Sequence, residues 1–220
     1  MVTSHEDEKT IALCHELSKT MPLHCHRTNV FWARKAKFNK WAAVEEGLDV
    51  MGRYGWISII DADIAIQFTD SRFMPRIGNL YTPIRLIQPD VRRGIPPLKE
   101  WCKMIPAKVN EEFSGYFQLF HANDPAISLL SPWHNVDWTW AGGAGREFTN
   151  RWNEEKKVRP PFRCLHVGEP FKNWCGRATP FVDGTLHEKA QERREQAGIL
   201  RRQMKDRKLS YNDGYKGDLS

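Results

Sequence analysis

Two stretches in the first third of the chain repeat apolar residues at helical spacing, and a third collapses into one continuous apolar run. Over residues 6–19, Ile11, Cys14 and Leu17, with Leu13 beside them, fall three apart and predict a helix. Ser4 or Thr3 is placed to cap it, and Glu6, Asp7 and Glu8 suit the positive end of its dipole. Pro22 breaks the pattern, and 23–28 reads as a short extended run. Over 38–52, Trp41, Val44, Leu48 and Met51 mark one face of a second helix, with Gly52 and Gly55 at its end. The run WISII at 56–60 is apolar apart from Ser58 and rich in β-branched residues. It predicts a strand buried on both faces, of the kind found in parallel sheets.

Strands and helices alternate in this way in α/β folds, whose ligands sit beyond the carboxyl ends of the strands. Further on, 70–108 is rich in Pro, Gly and Arg without a clean period and reads as loop and short strands. Residues 113–121 read as a strand, 132–145 as a Trp- and Gly-containing loop, 144–153 as a helix and 162–167 as a last strand. Residues 168–184 are irregular, and 186–208 predict a charged helix with eight Lys or Arg against four Asp or Glu. The expected organisation is one domain over 1–184 and a basic helical tail over 185–220.

Composition narrows the class. With 40% hydrophobic and 27% charged residues in 220, the chain can build a packed core. No apolar stretch is long enough to span a bilayer, and MVTSHEDEKT has no signal-peptide pattern. Cys14, Cys25, Cys102, Cys164 and Cys175 are odd in number and lack CxxC spacing, so they are expected as reduced thiols. A cytoplasmic location follows, a host's cytoplasm if the gene is viral. The net charge of +6 and pI near 9.1 favour an anionic partner, whether nucleotide diphosphate, nucleic acid or phospholipid surface. Nine Trp suit both a core and the stacking of planar or sugar rings.

The local feature that carries chemistry is Asp61-Ala62-Asp63, directly behind the WISII strand. Two ionised carboxylates one residue apart repel, and a divalent cation removes that repulsion. Mg²⁺ or Mn²⁺ prefers such oxygen ligands and bridges them to substrate phosphates. His166, at the end of the strand FRCLHV, is placed to complete a metal shell as a neutral imidazole.

The succession FNKWAAVEEGLD (38–49), WISIIDADIAI (56–66), GYFQLFHA (115–122), WAGGAGREFTNRW (140–152) and LHVGEPFKNWCGR (165–177) resembles the GT-A glycosyltransferases of the family 2-like kind. The likeness covers roughly residues 1–180. It implies a single-domain, Rossmann-like mixed sheet flanked by helices. It also implies a DxD motif, with Asp63 as the direct metal ligand and Asp61 nearer the ribose and metal, and His166 closing the metal site. Asn39 and Lys40 resemble helix-start residues facing the nucleotide, and Thr3 one close to the nucleobase. Trp140, Gly142 and Gly143 resemble the acceptor-side loop. Two departures stand out. The first strand is only a stub, short by nature or begun upstream. Inverting relatives carry an Asp where this chain has Gly145. That leaves a retaining mechanism or a displaced base, for which Glu147 ranks ahead of Asp137.

The expected chemistry is transfer of a sugar from a nucleoside diphosphate, a UDP-sugar foremost, to an acceptor hydroxyl, with Mn²⁺ or Mg²⁺ neutralising the leaving diphosphate. Lys172 and Arg177 are candidate phosphate contacts, beside Lys40, Arg34 and Lys37. Trp138, Trp140 and Trp174 are candidate stacking surfaces on the acceptor side. One acceptor option is a hydroxymethylated pyrimidine in DNA, which the basic tail would suit; another is a small molecule or glycan precursor. The rival readings are a nucleotidyltransferase, against which stands the lack of a Gly-rich phosphate loop, and a non-enzymatic basic nucleic-acid-binding module. A metal-dependent nuclease would want more clustered acids.

Overall fold

The computed structural model describes residues 1–36, 38–67, 72–88, 94–104, 106, 113, 115–127, 131–138 and 144–168. Its elements run β1 (Val2–Thr3), α1 (Glu8–Ser18), β2 (His26–Arg27), a 3-10 segment Val30–Lys35, α2 (Lys40–Met51), β3 (Trp56–Ile60), β4 (Ile64–Gln67), β5 (Leu80–Tyr81), β6 (Ile84–Gln88), α3 (Leu98–Trp101), β7 (Phe117–His121), α4 (Ala144–Thr149), a second 3-10 segment Glu154–Lys156, β8 (Lys157–Val158) and β9 (Arg163–Val167). The fold is mixed α/β, with short helices and sheets of both parallel and antiparallel pairs. No helix among the described residues is long and apolar enough to cross a membrane.

The chain divides into two compact units. The first comprises Met1–Ile60, Pro75–Tyr81 and Ser114–Val158. Here α1 starts on Asp7, whose side chain accepts from the Thr10 amide at 3.3 Å. The expected cap at Ser4 or Thr3 is therefore displaced, because Thr3 is already in β1, paired in parallel with β2. Cys14 is the buried centre of α1, and Leu13 is exposed. In α2 the buried face is Trp41, Ala43, Glu45, Gly47 and Leu48, while Met51 is exposed.

The apolar run 56–60 forms β3, at one end of the sheet β3-β7-β5-β8. It pairs antiparallel with β7, Trp56 opposite His121 and Ile60 opposite Phe117. Trp56, Ser58 and Ile60 are exposed, and Ile59 alone is fully buried. The expectation of a strand buried on both faces in a parallel setting is thus corrected. A mostly apolar run specifies extended chain but neither the pairing direction nor a second covering layer. The core of this unit is aromatic: Phe120, Phe148, Trp133 and Trp152 pack together, and Trp41 stacks nearly parallel on His134 with ring centroids 4.3 Å apart.

The second unit comprises Asp61–Met74, Thr82–Phe113 and Arg159–Ser220. Its sheet runs β4-β9-β6, with β9 antiparallel to β4 and parallel to β6. One of these strands was not expected, the short run β4 behind the acidic turn, whereas β6 lies in the stretch 70–108 read as loop and short strands. Leu86, Leu165 and Trp101 form the buried cluster of this unit, with Ala65, Met104 and Val167 against it. The expected basic helix over 186–208 lies outside the described residues.

Candidate functional site

In the second unit the sheet register positions the acidic turn. Ile64 of β4 stands opposite His166 of β9, and Ile87 of β6 flanks His166 on the other side. Arg85, two residues before Ile87, shares the sheet face of its neighbour and is within diagonal reach of His166. The result is a short chain of side chains. Arg85 Nη1 is 3.3 Å from His166 Nδ1, and His166 Nε2 is 3.2 Å from Asp63 Oδ2. Arg85 and His166 are buried, whereas the Asp63 side chain is 38% exposed.

Backbone contacts hold the same place. The Val167 amide donates to the Asp63 carbonyl at 2.9 Å, and the Ile64 amide to the Asp61 carbonyl at 3.1 Å. The Gly168 amide donates to the Gln88 carbonyl at 2.8 Å. Gly168 has φ +131°, in the region that disfavours a side chain, so glycine permits the exit from β9 just after His166. Asp63 and His166, both expected at a metal site, are thus brought together. Among the described residues no three of His, Cys, Asp and Glu gather around one point, so Asp61 is not brought together with Asp63 and His166. Arg85 was not foreseen. The signal for it was a charge set inside the apolar run IRLI, where burial requires a partner.

In the first unit, the residues expected to face a nucleotide are engaged by the protein. Asn39 caps α2, accepting from the Ala42 amide at 2.9 Å, and its amide donates to the Val136 carbonyl. Lys40 Nζ donates to the Gly115 carbonyl at 2.7 Å and lies 4.5 Å from the Trp41 ring centroid. Buried Thr3 donates through its hydroxyl to Asp7 at 2.9 Å. Phe31 stacks on Phe38, and Trp41 is core.

Glu147 is exposed on α4. It accepts from the Trp138 indole at 2.9 Å and from the Asn135 amide at 3.2 Å, so Trp138 orients this carboxylate by its edge. Asp137 is exposed, and its amide donates to Asn135 Oδ1 at 3.0 Å. Trp140, Gly142, Gly143, Lys172, Trp174 and Arg177 lie outside the described residues, as do Lys37 and the side chain of Arg34.

Gly145 is a close-packing position. A Cβ there would lie 2.6 Å from the Trp41 ring and 2.9 Å from the Gly115 backbone. Gly145→Asp is therefore expected to destabilise the chain by at least about 1–3 kcal/mol, the usual cost of overpacking. Urea unfolding followed by Trp fluorescence checks this; an unchanged midpoint would show that the contact yields freely.

The first unit also holds a buried polar network that sequence reasoning passed over. Glu45 Oε1 is 2.6 Å from His134 Nδ1, and His134 Nε2 is 3.2 Å from Gln118 Oε1. Glu45 also accepts the Trp133 and His134 amides at 3.0 and 2.9 Å, and Arg53 lies 2.8 Å from its Oε2. The available signal was spacing: Glu45 follows Trp41 by four residues, on the same helix face.

Cys14, Cys25, Cys102 and Cys164 are free thiols, and Cys175 lies outside the described residues. Burial pushes the Cys164 thiol up to about 12, against the lowering influence of Arg85 and Arg159, so this sulfur is a packed apolar group. Comparison with known proteins finds no matching family model, no matching curated protein and no matching solved structure.

Proposed function

We propose that the chain is a metal-dependent glycosyltransferase of GT-A type that moves a sugar from a nucleoside-diphosphate donor to a hydroxyl acceptor. The observation that supports it is the Asp61-Ala62-Asp63 turn between β3 and β4, with the partly exposed Asp63 carboxylate against the buried His166. The donor chemistry suits a hard divalent cation: a carboxylate, with remaining positions left to diphosphate oxygens and water. Asp63 would hold that cation, which when bound neutralises charge on the leaving diphosphate. His166 keeps one oxygen of Asp63 in place. The Val167 amide fixes the backbone behind it, so the carboxylate is oriented before any ligand arrives.

Gly145 admits no carboxylate without displacing Trp41 or Gly115, so an acceptor base at that position is disfavoured on steric grounds. What remains is a retaining mechanism or a base elsewhere, with Glu147, oriented by Trp138 and Asn135, as the candidate.

A thermal-shift screen of UDP, GDP, CDP and their sugars, with and without Mn²⁺, tests the proposal. A ligand at a hundred times its Kd adds about 2.7 kcal/mol to native-state stability. The expected result is a Mn²⁺-dependent rise in Tm with one nucleotide. If no nucleotide shifts Tm while the chain binds DNA without metal, the binding-module reading replaces this one.

A further inference from the structure

We propose that Arg85 is a positioning residue that sets the tautomer of His166, and that His166 consequently serves Asp63 as a hydrogen-bond donor instead of ligating a cation itself. The inference rests on reading the acidic turn as a cation site. A guanidinium carries only N–H donors. With Arg85 Nη1 at 3.3 Å, His166 Nδ1 must present its lone pair. A neutral imidazole with a lone pair on Nδ1 carries its hydrogen on Nε2. That hydrogen has an acceptor in place, because Asp63 Oδ2 lies 3.2 Å from Nε2. Both contacts therefore select the same tautomer.

A histidine ligates metal through a nitrogen lone pair, and on this ring the nitrogen facing Asp63 carries a hydrogen. Ligation through Nε2 would require the hydrogen to move to Nδ1. Two donors would then face each other 3.3 Å apart around side chains 7% and 4% exposed. An unsatisfied buried donor costs more than the contact it replaces. The usual metal-site order, in which a carboxylate orients a ligating histidine, is reversed here: the histidine orients the carboxylate.

The experiment uses the ¹⁵N-labelled full chain without metal. Long-range ¹H–¹⁵N correlations of His166, assigned by the signal lost in His166→Asn, are expected to show the Nε2–H tautomer. Arg85→Lys, which retains a donor, should preserve that pattern, and Arg85→Met should mix the two tautomers. An Nδ1–H ring in the wild type overturns the proposal whether or not Arg85→Met folds.

Mn²⁺ binding by electron paramagnetic resonance, with the nucleotide identified by the screen, tests ligation. His166→Asn keeps an N–H donor for Asp63 and should weaken Mn²⁺ by no more than about tenfold, the low end for outer-sphere partners. Asp63→Asn should remove detectable binding. Equal loss in both variants makes His166 a ligand and overturns the inference. A wild type that binds no Mn²⁺ with any nucleotide overturns the cation-site reading and the ligation claim with it, while the tautomer is still decided by the metal-free spectrum.

Discussion

Glu45→Ala is expected to destabilise the first unit by about 3–5 kcal/mol, the range for removing one partner of a buried ion pair. The carboxylate is 3% exposed as a residue and accepts from four groups: the amides of Trp133 and His134, the His134 ring and Arg53. Truncation leaves all four donors without this acceptor, one of them the ring of His134 in the Trp41–His134–Phe148 stack. Glu45→Gln keeps the shape and one acceptor oxygen, but turns an NH₂ toward a donor, so it should fall between wild type and alanine. Urea midpoints read the series. A Glu45→Ala midpoint within about 0.5 kcal/mol of wild type, the ordinary surface range, would show that the network does not support the fold.

The same network sets an acid limit. Burial pushes the Glu45 carboxyl up, but hydrogen bonds from His134 and the charges of His134 and Arg53 outweigh it and hold it below its ordinary 4.5. A carboxyl held low in the fold contributes stability above its unfolded value, and that contribution is lost as pH falls through the folded value. Burial also pushes the His134 imidazole below its ordinary 6.5, against the opposing pull of Glu45. The fold then binds fewer protons than the unfolded chain, so stability is complete above about 6.5 and declines below it. Wild-type stability should fall in two stages toward acid, below 6.5 and again below 4.5. Glu45→Ala should lack the second stage. Urea midpoints collected between pH 7 and pH 3 on both proteins give the comparison.

Asp63→Ala should have the opposite balance: large on activity and modest on stability. Its side chain is 38% exposed and its contact is the 3.2 Å approach to His166, so the substitution takes an acceptor from that buried imidazole at a cost of about 1–3 kcal/mol. The backbone carbonyl that accepts from Val167 survives the substitution. Under the proposed function the lost metal ligand removes several kcal/mol of transition-state stabilisation. At 1.36 kcal/mol per tenfold, turnover should fall on the order of a thousandfold or more. The Mn²⁺-dependent thermal shift should vanish while the metal-free protein still unfolds as a cooperative fold. Near-wild-type turnover in a folded Asp63→Ala protein would remove the metal-site argument altogether.

By itself the sequence determined what depends on neighbours along the chain. The three- and four-residue returns of Ile11, Cys14 and Leu17, and of Trp41, Val44 and Leu48, specify α1 and α2, because helical periodicity is a local property. The run 56–60 specifies a strand, and its abrupt end locates Asp61 and Asp63. Tertiary structure decided what depends on distant segments meeting. The β3–β7 pairing is antiparallel and leaves Trp56 and Ile60 exposed, which the apolar run alone does not encode. Asn39 and Lys40 look available for a ligand in sequence, yet bond to Val136 and Gly115, residues that only folding brings to α2. Glu45 and His134 are 89 positions apart, and Arg85 and His166 are 81 apart. Each pair combines a charged or titratable group that burial alone would expel with a partner that helps make burial tolerable. Strand register and helix packing set such partnerships, and both exist only once the chain has closed on itself.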